Sequence, residues 1–290
     1  MKRILITGAG SYLGKSLRQF LLQWPERYQV DSVSVRDDSW HSMRFRGYDA
    51  IYHTAALVHL EQNKQDPRQA EAYDRVNARL PVALAEKARA EGVGQFLFLS
   101  TAAVYGITAP YGKTILITKD TPLNPTDNYG ISKAKAESGL LALETEAFRI
   151  AILRPPMIYG KECKGNFRAL EAMARTLPVF PDIRNQRSML YVGNLNRLVQ
   201  LIIDNNDHGI FLPQNSAYVS TSRMVQQIAA AKGKKLPLLP GFGWTLHILR
   251  RVSPKVDKAF GSLCYDMSLS RYREDYCVTD FETSILESET

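Results

Sequence analysis

Tyr129 and Lys133 stand four residues apart, the spacing that stacks two side chains on one face of a helix. A cation there could lower the phenol pKa, making Tyr129 a usable base or acid near neutral pH, and could also hold a ribose hydroxyl. Ser100 and Thr101 follow the apolar run Gln95–Leu99. Two hydroxyls are therefore expected at the carboxyl end of a buried strand, where open α/β sheets bind ligands. A hydroxyl so placed can pass a proton between a substrate hydroxyl and the Tyr129 oxygen. Near the start of the chain, Gly8, Gly10 and Gly14 separate an apolar run from an amphipathic segment. A turn of that kind brings backbone N–H groups and a helix N-terminus up to a pyrophosphate. Its spacing is neither G-x-G-x-x-G nor a clean G-x-x-G-x-x-G, because Ser11 stands at the middle position of the latter.

The elements that must carry these residues read as an alternation. Strand Ile4–Thr7 leads through the glycine turn into helix Tyr12–Trp24, closed by Pro25. Strands follow at Val30–Val35 and Ala50–Ala55, then helical segments at Arg68–Asp74 and Asn77–Glu91, the latter interrupted by Pro81. After strand Gln95–Leu99 come a Pro- and Thr-rich loop, Gly106–Asn128, helix Ile131–Glu146 and strand Arg149–Leu153, stopped by Pro155-Pro156. Strands separated by helices predict a parallel, doubly wound α/β sheet. Only 39 residues separate Gly14 from His53, too few for the full set of strand–helix units, so an edge unit is expected to be condensed. Beyond Gly160 the pattern is less regular, with helices near Phe167–Arg175 and Asn194–Asp204 and an extended piece at Gly209–Leu212. The expected division is a dinucleotide-binding domain over 1–160, to which 188–206 returns, and a smaller lobe over 161–290. The end of the second strand offers Arg36, then Asp37 and Asp38. An acid there suits a ribose 2′-OH and an arginine a 2′-phosphate, so NAD and NADP both stay open.

Composition excludes several classes. With 290 residues, 45% hydrophobic and 23% charged, the chain is neither disordered nor fibrous. Three unpatterned cysteines (Cys163, Cys264, Cys277) suit a reducing compartment, and the absence of an apolar leader or an 18-residue apolar run suggests a cytoplasmic protein. Five histidines (His41, His53, His59, His208, His247) lack metal-ligand spacing, so no metal is expected. No G-x-S-x-G elbow supplies a hydrolase nucleophile. The net charge of +8 concentrates in Lys232–Lys258, where seven basic residues face Asp257 alone. No nucleic-acid module accompanies them. Trp244 and Leu249 in that stretch raise the alternative of an amphipathic segment on a membrane surface, against that of a solvated helix packed on the second lobe.

Taken in order, these residues resemble the extended short-chain dehydrogenase/reductases that act on nucleotide sugars, the NAD-dependent epimerase/dehydratase family, with UDP-glucose and UDP-GlcNAc 4-epimerases as central examples. Thr7–Gly14 is similar to the cofactor turn, His53-Thr54-Ala55-Ala56 to the segment beneath the cofactor, and Ser100–Gly106 to the S-[ST]-x-x-V-Y-G strand end. Tyr129–Lys133 matches Y-x-x-x-K, and Arg154–Gly160 matches R-x-x-x-x-Y-G. The resemblance implies a Rossmann-type sheet with a small C-terminal substrate lobe. Tyr129 would be the base, Lys133 its partner and Thr101 the relay. Gly8, Ser11, Tyr12, Leu13 and Gly14 would hold the NAD pyrophosphate, with backbone N–H groups of Ser11, Tyr12 and Leu13 donating. Arg36 and Asp37 would meet the adenosine ribose, and Thr54, Ala55, Ala56, Ser100 and Pro156 would line the rest of the cofactor site. For a UDP-sugar substrate it implies contacts from Thr101, Tyr129, Asn166, which opens a helix, and Arg187 of Gln186–Val192, on the diphosphate. A homodimer through two long helices is likewise implied.

Two departures sharpen the reading. Dehydratases of the family carry Asp-Glu after the catalytic Thr, whereas this chain has Ala102-Ala103. Loss of water from the sugar then lacks its acid–base pair. Met157 stands where many epimerases have Asn, which leaves the sugar unassigned. The expected activity is 4-epimerisation through a transient 4-keto sugar. Its rivals are an NADPH-dependent 4-keto sugar reductase and a non-catalytic dinucleotide-binding protein.

Overall fold

A computed structural model describes residues 1–58, 67–253 and 255–290, so His59 lies outside the described residues. The chain forms two compact units, each discontinuous in sequence. The first takes 1–106, 122–154 and 196–211, and the second takes 107–121, 155–195 and 212–290. The chain therefore leaves the first unit at 107, 155 and 212 and returns to it at 122 and 196.

The first unit is built on β1 (Lys2–Thr7), β2 (Tyr28–Val33), β3 (Ala50–His53), β4 (Gln95–Leu99), β5 (Arg149–Leu153) and β6 (Gly209–Phe211), all parallel, in the order β6-β5-β4-β3-β1-β2. This is the expected doubly wound α/β sheet. Strand β2 alone lies on one side of β1, where the usual order has two strands. The edge is condensed, and the switch between β2 and β3 falls at the carboxyl end of β1. Strands β3 and β4 are buried along their whole length, which is why they read as continuous apolar runs without alternation. Leu5, Ile51, Phe96, Phe98, Ile150 and Ile152 pack against Leu84, Ala85 and Ala88 of α3 (Leu80–Ala90) and Ala136 and Leu140 of α4 (Asn128–Leu141).

Register decides the site. Thr7, His53, Phe98 and Ile152 lie side by side across four strands. The segments after them, the glycine turn, Thr54–Ala56 and Leu99–Thr101, emerge at one level on the carboxyl edge.

Several boundaries differ from expectation. Helix α1 (Tyr12–Leu21) stops short of Trp24, and β2 starts at Tyr28, where the chain pairs with Lys2. Strand β3 ends at His53 because the N–H groups of Thr54 and Ala55 both turn onto the Thr7 carbonyl, at 2.9 and 3.2 Å. Pro81 does not end the helix: the chain is already helical through Arg79 and Leu80, and Pro81 stands just after a change of helical pitch. A π-helical turn, Asp74–Arg79, joins α2 (Pro67–Tyr73) to α3. Helix α4 begins three residues earlier than the pattern predicts, because the Asp127 carboxylate accepts from the Gly130 N–H at 2.7 Å and caps it. Tyr129 thereby falls within its first turn.

The second unit holds short parallel pairs. Thr114–Ile117, expected to be loop, pairs with Ser262–Tyr265, and Met157–Tyr159 pairs with Met189–Tyr191. Helices Asn166–Thr176 and Thr221–Ala231 pack together. No described helix is long and apolar enough to cross a membrane.

Candidate active site

The glycine turn is shaped by close approach. Gly8 has φ +110°, and a Cβ there would meet the Ala55 nitrogen at 2.7 Å; one on Gly14 would meet the Ser11 Oγ at 2.7 Å and Ile6 at 3.0 Å. Ser11, at the position of the family's middle glycine, has φ −72°, which any residue adopts. Its hydroxyl accepts from the Gly14 N–H at 2.9 Å and pairs with the Thr54 hydroxyl at 2.6 Å. The departure from glycine is a helix N-cap that also ties the turn to β3. Ser11 was expected to give its N–H to a pyrophosphate, but that N–H bonds the Gly8 carbonyl at 2.8 Å. Leu13, second in the helix, is among the donors that a helix start leaves without an intrahelical acceptor. It remains, with the positive end of α1, to meet an anion.

Arg36 reaches over this turn, its Nη2 3.7 Å from where a Cβ of Gly10 would stand. Asp37 is engaged elsewhere: its carboxylate accepts from the Ser39 N–H and hydroxyl, capping the short helical turn Asp38–His41, and those bonds hold its pKa low. Ala55 and Ala56 are half-buried beside the turn.

At the end of β4 the second half of the site is assembled. Thr101 caps the 3-10 turn Ala102–Tyr105, accepting from the Ala103 N–H at 3.2 Å. Gly106 closes that turn at φ +64°, and a Cβ there would lie 1.8 Å from the Asn124 carbonyl. A Cβ on Gly130 would lie 2.6 Å from the Ala103 carbonyl. Only glycine at 130 lets the first turn of α4 rest on the turn carrying Thr101. The consequence is that the Thr101 hydroxyl comes close enough to the Tyr129 phenol to act on its pKa.

Burial pushes the phenol up to about 12, with smaller upward contributions from Asp127 and Tyr73; the Thr101 hydroxyl pulls the other way. Lys133, expected to lower the phenol, has its ammonium engaged at the end of β4. Its Nζ is buried, donates to the Leu99 carbonyl at 2.8 Å and lies 4.4 Å from the Phe98 ring centre. Burial brings its own pKa down to about 7, against the pull of Glu137. His53 is a buried strand residue: it is 0% exposed, with Nδ1 2.8 Å from the Thr7 hydroxyl. Burial first, and the Lys133 charge second, depress it to about 3, so it is neutral.

Beneath the site lies a network that sequence reasoning missed. Glu137, one helical turn beyond Lys133, is buried and takes three bonds from the Arg154 guanidinium, at 2.6, 3.1 and 3.1 Å. Arg154 also donates to the Tyr105 hydroxyl at 3.0 Å. Ser100, expected at the cofactor, is 3% exposed and gives its hydroxyl to Glu137. An acid on the Lys133 face of α4, together with the arginine that opens R-x-x-x-x-Y-G, was the available signal.

Pro156, Asn166 and Arg187 belong to the second unit. Asn166 opens helix Asn166–Thr176 after Gly165 at φ +88° and is exposed. Arg187 Nη1 donates to the Lys258 carbonyl at 2.6 Å and the Gly261 carbonyl at 3.2 Å, and meets no carboxylate among the described residues. Burial lowers its pKa. Such a guanidinium suits a phosphate.

The first unit fits a dinucleotide. Its glycine cradle admits no Cβ at Gly8 or Gly14, a helix start faces it, and Lys133 stands at the end of β4, two strands along the same edge, with Tyr129 on the same helix. The chain is 28% identical to the UDP-glucose 4-epimerase of Vibrio cholerae over 92% of its own length and 88% of the relative's. In three dimensions it resembles UDP-glucuronic acid 4-epimerase from Bacillus cereus in complex with NAD, with a TM-score of 0.74, 19% identity and coverage of 99% and 94% of the two chains. It also resembles RMD from Pseudomonas aeruginosa complexed with NADPH, with a TM-score of 0.75, 17% identity and coverage of 99% and 98%. A match to the family's sequence profile runs from 4 to 212, across the whole glycine turn, the Thr101–Tyr129–Lys133 set and Arg187, and on it the chain belongs to the NAD dependent epimerase/dehydratase family.

Proposed function

We propose that the protein is a nucleotide-sugar 4-epimerase, interconverting C4 epimers of a UDP-hexose or UDP-N-acetylhexosamine through a transient 4-keto sugar. The observation that carries this is the Thr101 hydroxyl set beside the Tyr129 phenol, with Lys133 one turn along the same helix and Ala102-Ala103 where a dehydratase needs two carboxylates. The name of the Vibrio cholerae relative supports the same choice.

Bound NAD would accept hydride from C4 and return it to the other face. Leu13 N–H and the α1 dipole would hold its pyrophosphate, and Lys133 its ribose. Tyr129 would take the C4 hydroxyl proton, directly or through Thr101, and give it back when the carbonyl is reduced. At about 12 the phenol is almost wholly protonated near neutral pH, so little phenolate is present to act as a base. Turning the Lys133 ammonium from the Leu99 carbonyl towards a bound ribose would add a cation beside it, and lowering of the phenol pKa then belongs to the loaded enzyme. Arg187, with its free guanidinium edge, is the residue for the sugar diphosphate.

A second reading, NADPH-dependent reduction of a 4-keto nucleotide sugar, draws on Arg36 lying over the glycine turn while Asp37 is occupied by Ser39. Incubation of the purified protein with UDP-glucose or UDP-GlcNAc, without added cofactor, separates the two. Appearance of the C4 epimer by NMR is expected. NADPH consumption on a 4-keto sugar with no epimer formed would replace this reading by the second. Tyr129→Phe is expected to lower kcat by about 10²–10⁴; full activity in that variant would remove the mechanism.

A further inference from the structure

The second unit carries an apolar surface that the reaction does not use. Helix Gly243–Leu249 turns its apolar residues outward: Trp244 is 66% exposed and Ile248 56%, one turn apart on the same face. Val252, 79% exposed, continues the row one turn on, where the Ser253 N–H still donates to the Leu249 carbonyl at 2.9 Å. The inward side is already committed. Leu246 is buried, His247 packs edge-on against Tyr111 at 4.8 Å, and Arg250 pairs with Asp257 at 3.1 Å. A helix of a soluble domain ordinarily shows the opposite pattern, and an exposed apolar row of this kind marks a contact surface.

Charge identifies what covers it. Of the seven basic residues between Lys232 and Lys258, Arg250 is neutralised by Asp257, Lys232 by Glu289, and Lys234 caps the carbonyls of Ala174, Arg175 and Leu177. Lys235, Arg251 and Lys258 meet no carboxylate among the described residues, and the single acid of the stretch, Asp257, is taken. A second copy would set this face against itself and bring like charges together, since a two-fold contact is self-complementary. Apolar side chains with an indole among them, flanked by unpaired cations, match an interface of acyl chains and anionic headgroups.

We infer that the surface formed by Trp244, Ile248 and Val252 with Arg251 docks the protein on an anionic membrane. The segment lies in the plane of the interface, with the apolar row entering the headgroup region and Arg251 at the phosphates. The inference stands apart from the reaction proposed above and is tested without substrate.

The full-length protein is floated with phosphatidylcholine vesicles containing about one part in three phosphatidylglycerol, and with phosphatidylcholine alone. Binding is expected to the first and to fall as salt is raised. Trp244→Ser with Ile248→Ser should lower the partition coefficient by at least about a hundredfold, and Arg251→Glu by roughly thirtyfold. The thermal midpoint of both variants should stay close to the parent value, because these side chains are mostly exposed. Failure of the parent to float with anionic vesicles overturns the inference, as does a double variant that floats like the parent. So does a dimer in sedimentation that the double substitution dissolves, which would assign the face to a second copy.

Discussion

Gly8–Gly14 and Ser100–Gly106 both follow a buried parallel strand and both lean on glycines, yet they offer opposite kinds of group. The first presents backbone: its side chains, Ser11 and Thr54, bond each other and the helix start. What remains for a ligand is N–H groups and a dipole. The second presents side chains, Thr101, Tyr129 and Lys133, whose proton affinities are set by burial. A turn that binds by backbone is sensitive to volume, whereas one that works by side chains is sensitive to charge and desolvation. The network of Glu137 and Arg154 exists only under the second.

The contrast can be broken first where it is most polarised. Arg154→Met strands the Glu137 carboxylate in the interior and should cost about 3–5 kcal/mol in urea unfolding. Adding Glu137→Gln should restore part of that loss, and an unchanged midpoint in the single variant would mean the pair contributes nothing. At the glycine turn the matching perturbation is steric. Gly14→Ala pushes a methyl against Ser11 and Ile6 and should cost about 1–3 kcal/mol, with weaker dinucleotide binding by calorimetry.

A third test reads burial through pH. His53 is neutral when folded, with a pKa near 3 against 6.5 ordinarily, so below 6.5 the unfolded chain takes up a proton that the folded one does not. This residue therefore removes stability as pH falls from 6.5 towards 3, by at most about 1.4 kcal/mol per pH unit. His53→Gln should flatten that part of the urea-midpoint profile relative to the parent. The smallest effect is expected at Ser11→Gly, which restores the usual glycine and removes the cap; about 0.3 kcal/mol is expected. A loss above 1.5 kcal/mol would show that the bond to Thr54, more than the cap, holds the turn.

How far the sequence could be read depended on whether an effect was local. The glycine turn, the hydroxyls after Leu99 and the Tyr129–Lys133 spacing are each contained within one strand end or one helical turn, and they stand after β1, after β4 and on α4. The early start of α4 was also local, since Asp127 is a cap followed three residues later by Gly130, but the apolar pattern masked it. The strand at Thr114–Ile117 was not legible, because its partner Ser262–Tyr265 lies almost 150 residues away. How much of the positive charge in Lys232–Lys258 is paired was not legible for the same reason. Lys232 and Lys234 find Glu289 and a helix end that are distant in sequence.

The residues alone therefore determined a doubly wound sheet, a condensed edge beside the first strand, a glycine-cradled anion site and a Thr–Tyr–Lys set without a dehydratase's carboxylates. Residue type and short spacing suffice for these, because backbone sterics and helical periodicity act over a few residues. The tertiary structure alone decided that Ser11 serves as a cap and that Ser100 turns inward to Glu137. It also decided that the Lys133 charge rests on the Leu99 carbonyl, and that Trp244 and Ile248 face outward. Each depends on which distant group displaces water from a side chain, and desolvation is a property of the packed chain that spacing does not record.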